Sequence, residues 1–149
     1  MVIRDAEARD AVQLDKLLTR LIQDEAQYDS NLNRDCEIRD NYCHRIGLEG
    51  HKLILIEEGE EIVGFLYGFI QHVPGICKSP FAILDALFID EQHRRKGYAS
   101  MLISEFRTFA IKNSACRIEL KVVSDNKHAV DLYEKLSFSE TKKYMKMDI

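Results

Sequence analysis

The sequence predicts an α/β fold, one domain built on a mixed sheet with helices on both faces. Three observations carry this. Residues 52–57 and 62–70 are apolar runs joined by Glu58-Gly59-Glu60, the pattern of a β-hairpin. An apolar run at 81–90, an amphipathic stretch at about 97–112 and an alternating run at 116–123 form a strand–helix–strand unit. Its two strands should lie parallel with a right-handed crossover, so the sheet mixes antiparallel and parallel pairing. A length of 149 residues suits one domain with a real core, 1–149, and does not suit two.

The elements follow in order. Val2-Ile-Arg-Asp5 is a short first strand. Leu14, Leu17, Leu18 and Leu21 recur at three- and four-residue spacing and mark a helix over about 9–25. Gln27 to Arg34 is polar and aperiodic, a loop. Ile38, Tyr42 and Ile46 share one helical face, which predicts a second helix over about 36–48. After the hairpin, residues 73–80 hold both prolines of the chain and form a loop. The 97–112 helix buries Leu102, Ile103, Phe106, Phe109 and Ala110, and Asn113 falls where a left-handed cap would end it. In 116–123, Ile118, Leu120 and Val122 alternate with Glu119, Lys121 and Val123. Asp125 or Asn126 caps a helix running to about Leu136, and 138–149 is a last, partly strand-like segment. The predicted order is β-α-α-β-β-β-α-β-α-β, without repeats or low-complexity tracts.

Composition narrows the function. The net charge of −4 is concentrated in residues 23–50, where Asp24, Glu25, Asp29, Asp35, Glu37, Asp40 and Glu49 face three arginines; the rest of the chain balances. That argues against a nucleic-acid partner, which calls for a basic face, and permits a cationic one. A solvated acidic loop is the alternative. No signal peptide or membrane span is expected, as the start is charged from its fourth residue. Cys36, Cys43, Cys77 and Cys116 show neither C-x-x-C spacing nor a histidine pattern, so no metal is expected and a reduced, cytoplasmic setting is.

The most informative stretch is Leu84 to Ile103, where an apolar strand enters a basic loop and then a helix, with the hinge Arg94-x-x-Gly97-x-Ala99. Free N–H groups and the positive end of a helix dipole converge at such a junction and suit an anion, most often phosphate. It is neither a Walker loop nor the three-glycine dinucleotide fingerprint. The hinge resembles the acyl-CoA pyrophosphate loop, Q/R-x-x-G-x-G/A, of the GNAT superfamily of N-acetyltransferases. A second block, Asn126-Lys-His-Ala129-Val-Asp-Leu132-Tyr133-Glu-Lys-Leu-Ser-Phe138, is similar to that family's N-x-x-A-x-x-L-Y-x-x-x-G-F signature. The two blocks and the order of elements extend the resemblance over the whole chain.

The resemblance implies site residues. Backbone N–H groups from Arg95 through Lys96, Gly97, Tyr98 and Ala99 to Ser100 would hold the CoA pyrophosphate, with Arg94, Arg95 and Lys96 as counter-charge; a solvated basic turn is the alternative. Pantetheine would run beside the 81–90 strand, on the backbone of Leu87, Phe88 and Ile89. Asn126 is either a helix cap or a pantetheine ligand, or both. Tyr133 would donate a proton to the leaving thiolate, as a phenol with a pKa of about 10 can; packing in the core is its alternative role. Leu87 N–H would meet the charge developing on the acetyl oxygen. The general base is open. Lys121 stands where many members carry Glu, and Glu119 is a weaker candidate. Asp85 remains from the Glu-Asp pair of diamine-type members, to bind or relay from the acceptor ammonium or to serve in a structural hydrogen bond. Ser137 replaces the usual Gly before Phe138, so the turn must avoid positive φ or carry strain.

The expected activity is transfer of the acetyl group of acetyl-CoA, as co-substrate, to a small cationic amine. That amine would enter between residues 25–48 and the strand ends near Asp85 and Tyr67. The alternatives are a protein lysine or N-terminal amine as acceptor, or a non-catalytic acyl-CoA-binding regulatory module. A homodimer is compatible with either; nucleic acid and membrane are not expected partners.

Overall fold

The computed structural model describes residues 1–149. Runs rich in Ile, Leu, Val and Phe fit a pleated, half-buried surface, and they form β1 (Val2–Asp5), β2 (His51–Glu58), β3 (Glu61–Gln71), β4 (Phe81–Ile89) and β5 (Ile118–Glu119). The sheet order is β1-β2-β3-β4-β5, antiparallel through β4 and parallel between β4 and β5. The helices are α1 (Ala11–Glu25), α2 (Tyr98–Lys112) and α3 (Lys127–Lys135).

Strand alternation divides the core in two. One layer packs Leu14 and Leu17 of α1 and Tyr42 on Leu53, Leu55, Phe65, Tyr67, Ala86 and Phe88. The opposite layer packs Leu102, Ile103 and Phe106 of α2 on Ile54, Ile56, Val63, Leu66, Ala82 and Leu84. Contact on the α2 side is close enough to require a glycine: a Cβ on Gly68 would lie 2.3 Å from Phe106 Cζ and 2.5 Å from Ile83 O.

Four expectations need correcting. Residues 36–48 are not a helix but an irregular segment holding one 3-10 turn, Tyr42–His44. Side chains of α1 satisfy its backbone instead. The buried Asp15 carboxylate accepts from Asn41 N–H at 3.1 Å and Tyr42 N–H at 3.0 Å, and Thr19 Oγ1 accepts from Ile38 N–H at 3.0 Å. The fifth strand is two residues rather than 116–123, because β4 and β5 pair only at Ala82/Ile118 and Ile83/Glu119 and then diverge. Residues 138–149 form no strand. Asn113 keeps a negative φ, and the left-handed residue after α2 is Ser114 at φ 60°.

Ser137 takes the strained alternative at φ 71°. Phe138 N–H donates to Tyr133 O at 2.9 Å and Ser137 N–H to Glu134 O at 3.0 Å, the paired bonds of a Schellman ending. At the other end of α3, Asn126 Oδ1 accepts from Ala129 N–H at 3.3 Å, so the capping role read for Asn126 is realised.

Candidate active site

An unpaired residue in β4 creates the groove. Across the β3–β4 ladder Tyr67 faces Ala86 and Gly68 faces Leu84, which leaves Asp85 as a bulge. Asp90 N–H donates to Val63 O at 2.8 Å, which fixes the phase of that ladder. Bonded and non-bonded pairs alternate in antiparallel sheets, so Phe65/Phe88 and Tyr67/Ala86 exchange hydrogen bonds. The polar groups of Leu87 and Ile89 therefore point away from β3, toward the gap left by β5. Without the bulge, the outward phase seen at Ala82, whose N–H donates to Arg117 O at 2.9 Å, would reach Ala86 and Phe88 instead.

This corrects one expectation. Phe88 has its backbone engaged with β3 and its ring in the α1 layer, so it cannot offer hydrogen bonds to a ligand in the gap. Ile89 O accepts from Arg94 Nε at 3.0 Å. The outward groups left open are Leu87 N–H, Leu87 C=O and Ile89 N–H.

The gap leads to the basic loop at the start of α2. Arg95 at φ 64° and Gly97 at φ 81° are both left-handed. No N–H from Arg95 to Ser100 has a protein acceptor; Met101 is the first to bond, to Gly97 O at 3.1 Å. A Cβ on Gly97 would meet nothing within 4 Å, so φ rather than crowding calls for glycine there. Arg94 Nη2 lies 3.4 Å from Asp24 Oδ2 and Lys96 Nζ 3.3 Å from Glu58 Oε1, whereas Arg95 has no acidic partner. Tyr98 is buried, and its hydroxyl donates to Glu58. His93 bridges Asp90 at 3.1 Å and Glu58 at 3.4 Å, a tie between the loop and the β2–β3 hairpin.

Tyr133 sits on α3, its ring edge-on to Phe138 with centroids 5.6 Å apart and packed against the α2 layer. Its hydroxyl has no partner. Burial, and after it the charge of Glu25, pushes the phenol up to about 12.

On the α1 side of the bulge lies a cavity of about 350 Å³, whose lining includes Leu21, Glu25, Asn41, Tyr42, Arg45, Tyr67, Asp85 and Ala86. This is the region between 25–48 and the strand ends where an acceptor was expected. Neither the Asp85 nor the Glu25 carboxylate has a hydrogen-bonded or ionic protein partner. Burial first, and then the charges of Asp85 and Asp24, raises the Glu25 carboxyl above its ordinary value. Tyr67 OH lies 2.7 Å from His51 Nδ1, and burial followed by the Arg45 charge lowers the His51 imidazole. The other base candidates lie elsewhere: Glu119 pairs with Lys142 at 3.4 Å and Arg117 at 3.5 Å, and Lys121 lies over the Tyr144 ring at 4.8 Å.

The sequence places Glu25 in the acidic segment and gives it no role of its own. The signal was present: Leu14, Leu18 and Leu21 set the apolar stripe of α1, and Glu25 occupies its next position. A carboxylate on a buried stripe is costly without a use.

Comparison with known proteins agrees with this geometry. Residues 17–138 match the model of the acetyltransferase (GNAT) family. An L-ornithine N5-acetyltransferase of Arabidopsis thaliana is 31% identical over 75 residues, 50% of this chain and 32% of that protein. The chain thus aligns with only about a third of that relative's length. The structure superposes on a tetramutant of the BH1408 protein from Bacillus halodurans with a TM-score of 0.88 at 19% identity, over 100% of both chains. Against the aminoglycoside N-acetyltransferase AAC(6')-Iy in complex with CoA, the TM-score is 0.76 at 17% identity, covering 99% of this chain and 98% of that one. At such identities the two structures bear on the fold alone.

Proposed function

Since the chain belongs to the GNAT family of acetyltransferases, we propose that it moves the acetyl group of acetyl-CoA to a small cationic amine by direct attack. One observation carries the reading: the open edge of β4 runs from the amide array at Arg95–Ser100 to a cavity lined by two unpartnered carboxylates. The first suits a pyrophosphate and an extended pantetheine arm, and the second suits an ammonium group. The L-ornithine N5-acetyltransferase among the similar proteins is named for a small cationic amine.

In this reading the N–H groups of Arg95 to Ser100 hold the pyrophosphate and Arg95 supplies the free positive charge. Leu87 and Ile89 hydrogen-bond the arm, with Asn126 beside it. Leu87 N–H faces the acetyl oxygen as charge develops there. Asp85 holds an ammonium group of the acceptor, and Glu25, lining the same cavity, takes the proton that must leave before the reacting nitrogen can attack. Tyr133 donates to the departing sulfur. A phenol near 12 facing a thiol of about 8.5 transfers its proton uphill by roughly 5 kcal/mol, so its contribution is a hydrogen bond to the sulfur rather than complete proton transfer.

Residues 1–149 act as one catalytic domain in this account. The four cysteines, all free thiols, fit a reducing cytoplasmic compartment. No helix is long and apolar enough to cross a membrane. The test is thiol release from acetyl-CoA across a panel of amines. Turnover with cationic small amines is expected. Preference for lysine or N-terminal peptides would transfer the protein to the protein-acetylating class, and CoA binding without thiol release on any amine would make it a non-catalytic module.

A further inference from the structure

The cavity beside the bulge holds a third charged group that neither the sequence nor the acetyl-transfer chemistry uses. Arg45 lies on the irregular segment after α1 and lines the same cavity as Glu25 and Asp85. It is partly buried and forms no ion pair in the protein. Its Nη1 donates to Asn41 O at 2.9 Å and to Asn41 Oδ1, and its guanidinium carbon stands 5.8 Å from the centroid of the Tyr67 ring. Asn41 and Tyr67 therefore orient the group while its charge remains unanswered.

We propose that the acceptor is an amino acid with a second amine on its side chain, its ammonium groups held by Glu25 and Asp85 and its carboxylate by Arg45. The inference rests on the acetyltransferase reading above and narrows its substrate. Two carboxylates and one guanidinium are the charge complement of a diamino acid, which carries two ammonium groups and one carboxylate. A guanidinium presents its donors as a fixed fork that matches a carboxylate. A bare diamine fits less well, since it answers the two carboxylates but leaves Arg45 without a counter-charge beside two cations. A cavity of about 350 Å³ lies at the small end of ligand pockets, a size for one amino acid rather than a folded protein surface.

The placement also orders the ligand. Glu25 ends α1 and lines the cavity, and as the base of the reading above it takes the proton of the nitrogen it holds, so that nitrogen is the one presented to the acetyl group. Arg45 is instead grouped with Tyr67 and His51. The carboxylate end is thereby directed away from the reacting sulfur.

The experiment compares kcat/KM by thiol release for 2,5-diaminopentanoic acid, its carboxamide and 1,4-diaminobutane, with wild type, Arg45→Gln and Arg45→Lys. Wild type should prefer the acid over the carboxamide and the diamine by at least tenfold. Arg45→Gln should bring the acid-to-carboxamide ratio close to one, and Arg45→Lys should retain part of it. Equal wild-type rates for acid and carboxamide overturn the inference, a result that needs no variant to fold. It is also overturned if Arg45→Gln keeps a tenfold preference, or if another amine is acetylated while the diamino acid is not. Those outcomes leave the acetyltransferase reading standing; CoA binding without thiol release on any amine removes both.

Discussion

Glu25 and Asp85 line one cavity, and in the proposed mechanism Glu25 is the base that serves it. Its raised carboxyl pKa gives two signed expectations. As a base it works only when ionised, so kcat/KM should rise as pH passes through its pKa, above the usual carboxylate range of about 4.3. Glu25→Gln should remove that limb of the profile. A raised pKa also means that the folded state binds the proton more tightly than the unfolded one. The corresponding stability is present below the unfolded value and lost as pH rises through the folded one. Glu25→Gln should therefore raise Tm at neutral pH while lowering activity, a pairing that a purely structural residue would not show. Tyr133→Phe should retain CoA binding and lower kcat on the order of 10²–10³-fold, the usual cost of losing one hydrogen-bond donor to developing charge. An unchanged kcat would reduce Tyr133 to its packing on Phe138.

The loop that starts α2 and the turn that ends α3 both use left-handed backbone, with opposite consequences. Gly97 has φ 81° and open space around it. Gly97→Ala and Gly97→Glu should lose similar stability, about 1 kcal/mol, as melting curves will show. Only Gly97→Glu should lose CoA affinity, by tenfold or more, because it alone places a carboxylate among the free amides. Ser137 already carries the strain at φ 71°. Ser137→Gly should stabilise the protein by about 1 kcal/mol, raising Tm by roughly 2–4 °C. The elements themselves were largely legible: Leu14, Leu17, Leu18 and Leu21 announce α1, and the Gly59 turn announces the β2–β3 hairpin. The 36–48 segment was not, because its helical spacing of Ile38, Tyr42 and Ile46 is overridden by Asp15 and Thr19. Those partners lie about twenty or more residues away in sequence, and local periodicity carries no trace of them. The brevity of β5 and the phase of the β4 backbone were hidden for a similar reason. A one-residue bulge is a property of pairing, and only the paired strands reveal that Leu87 and Ile89, not Phe88, face the gap.

At the scale of the molecule, two cores on opposite faces of one sheet leave a single break, where β4 and β5 part beyond Ile83 and Glu119. The amide array stands at the far end of β4, the cavity lies on the α1 face, and Tyr133 packs with the α2 layer. In the proposed reading all three serve that break, where a thioester threaded through the sheet would meet an amine held on one side of it. The motif residues of the break were visible in the sequence, since Arg94-x-x-Gly97-x-Ala99 and Asn126 to Phe138 stand out by type and spacing. Glu25 and Arg45 were not, because each is one charged residue with no motif around it. The most direct test of the central claim is an amide NMR titration of the 15N-labelled protein with CoA. Shifts should be largest at Arg95–Ser100, Leu87 and Ile89, and small at Phe88, whose N–H stays bonded to β3. Shifts confined to other surfaces, such as the hollow lined by Cys77 and Cys116, or no binding at all, would contradict the account.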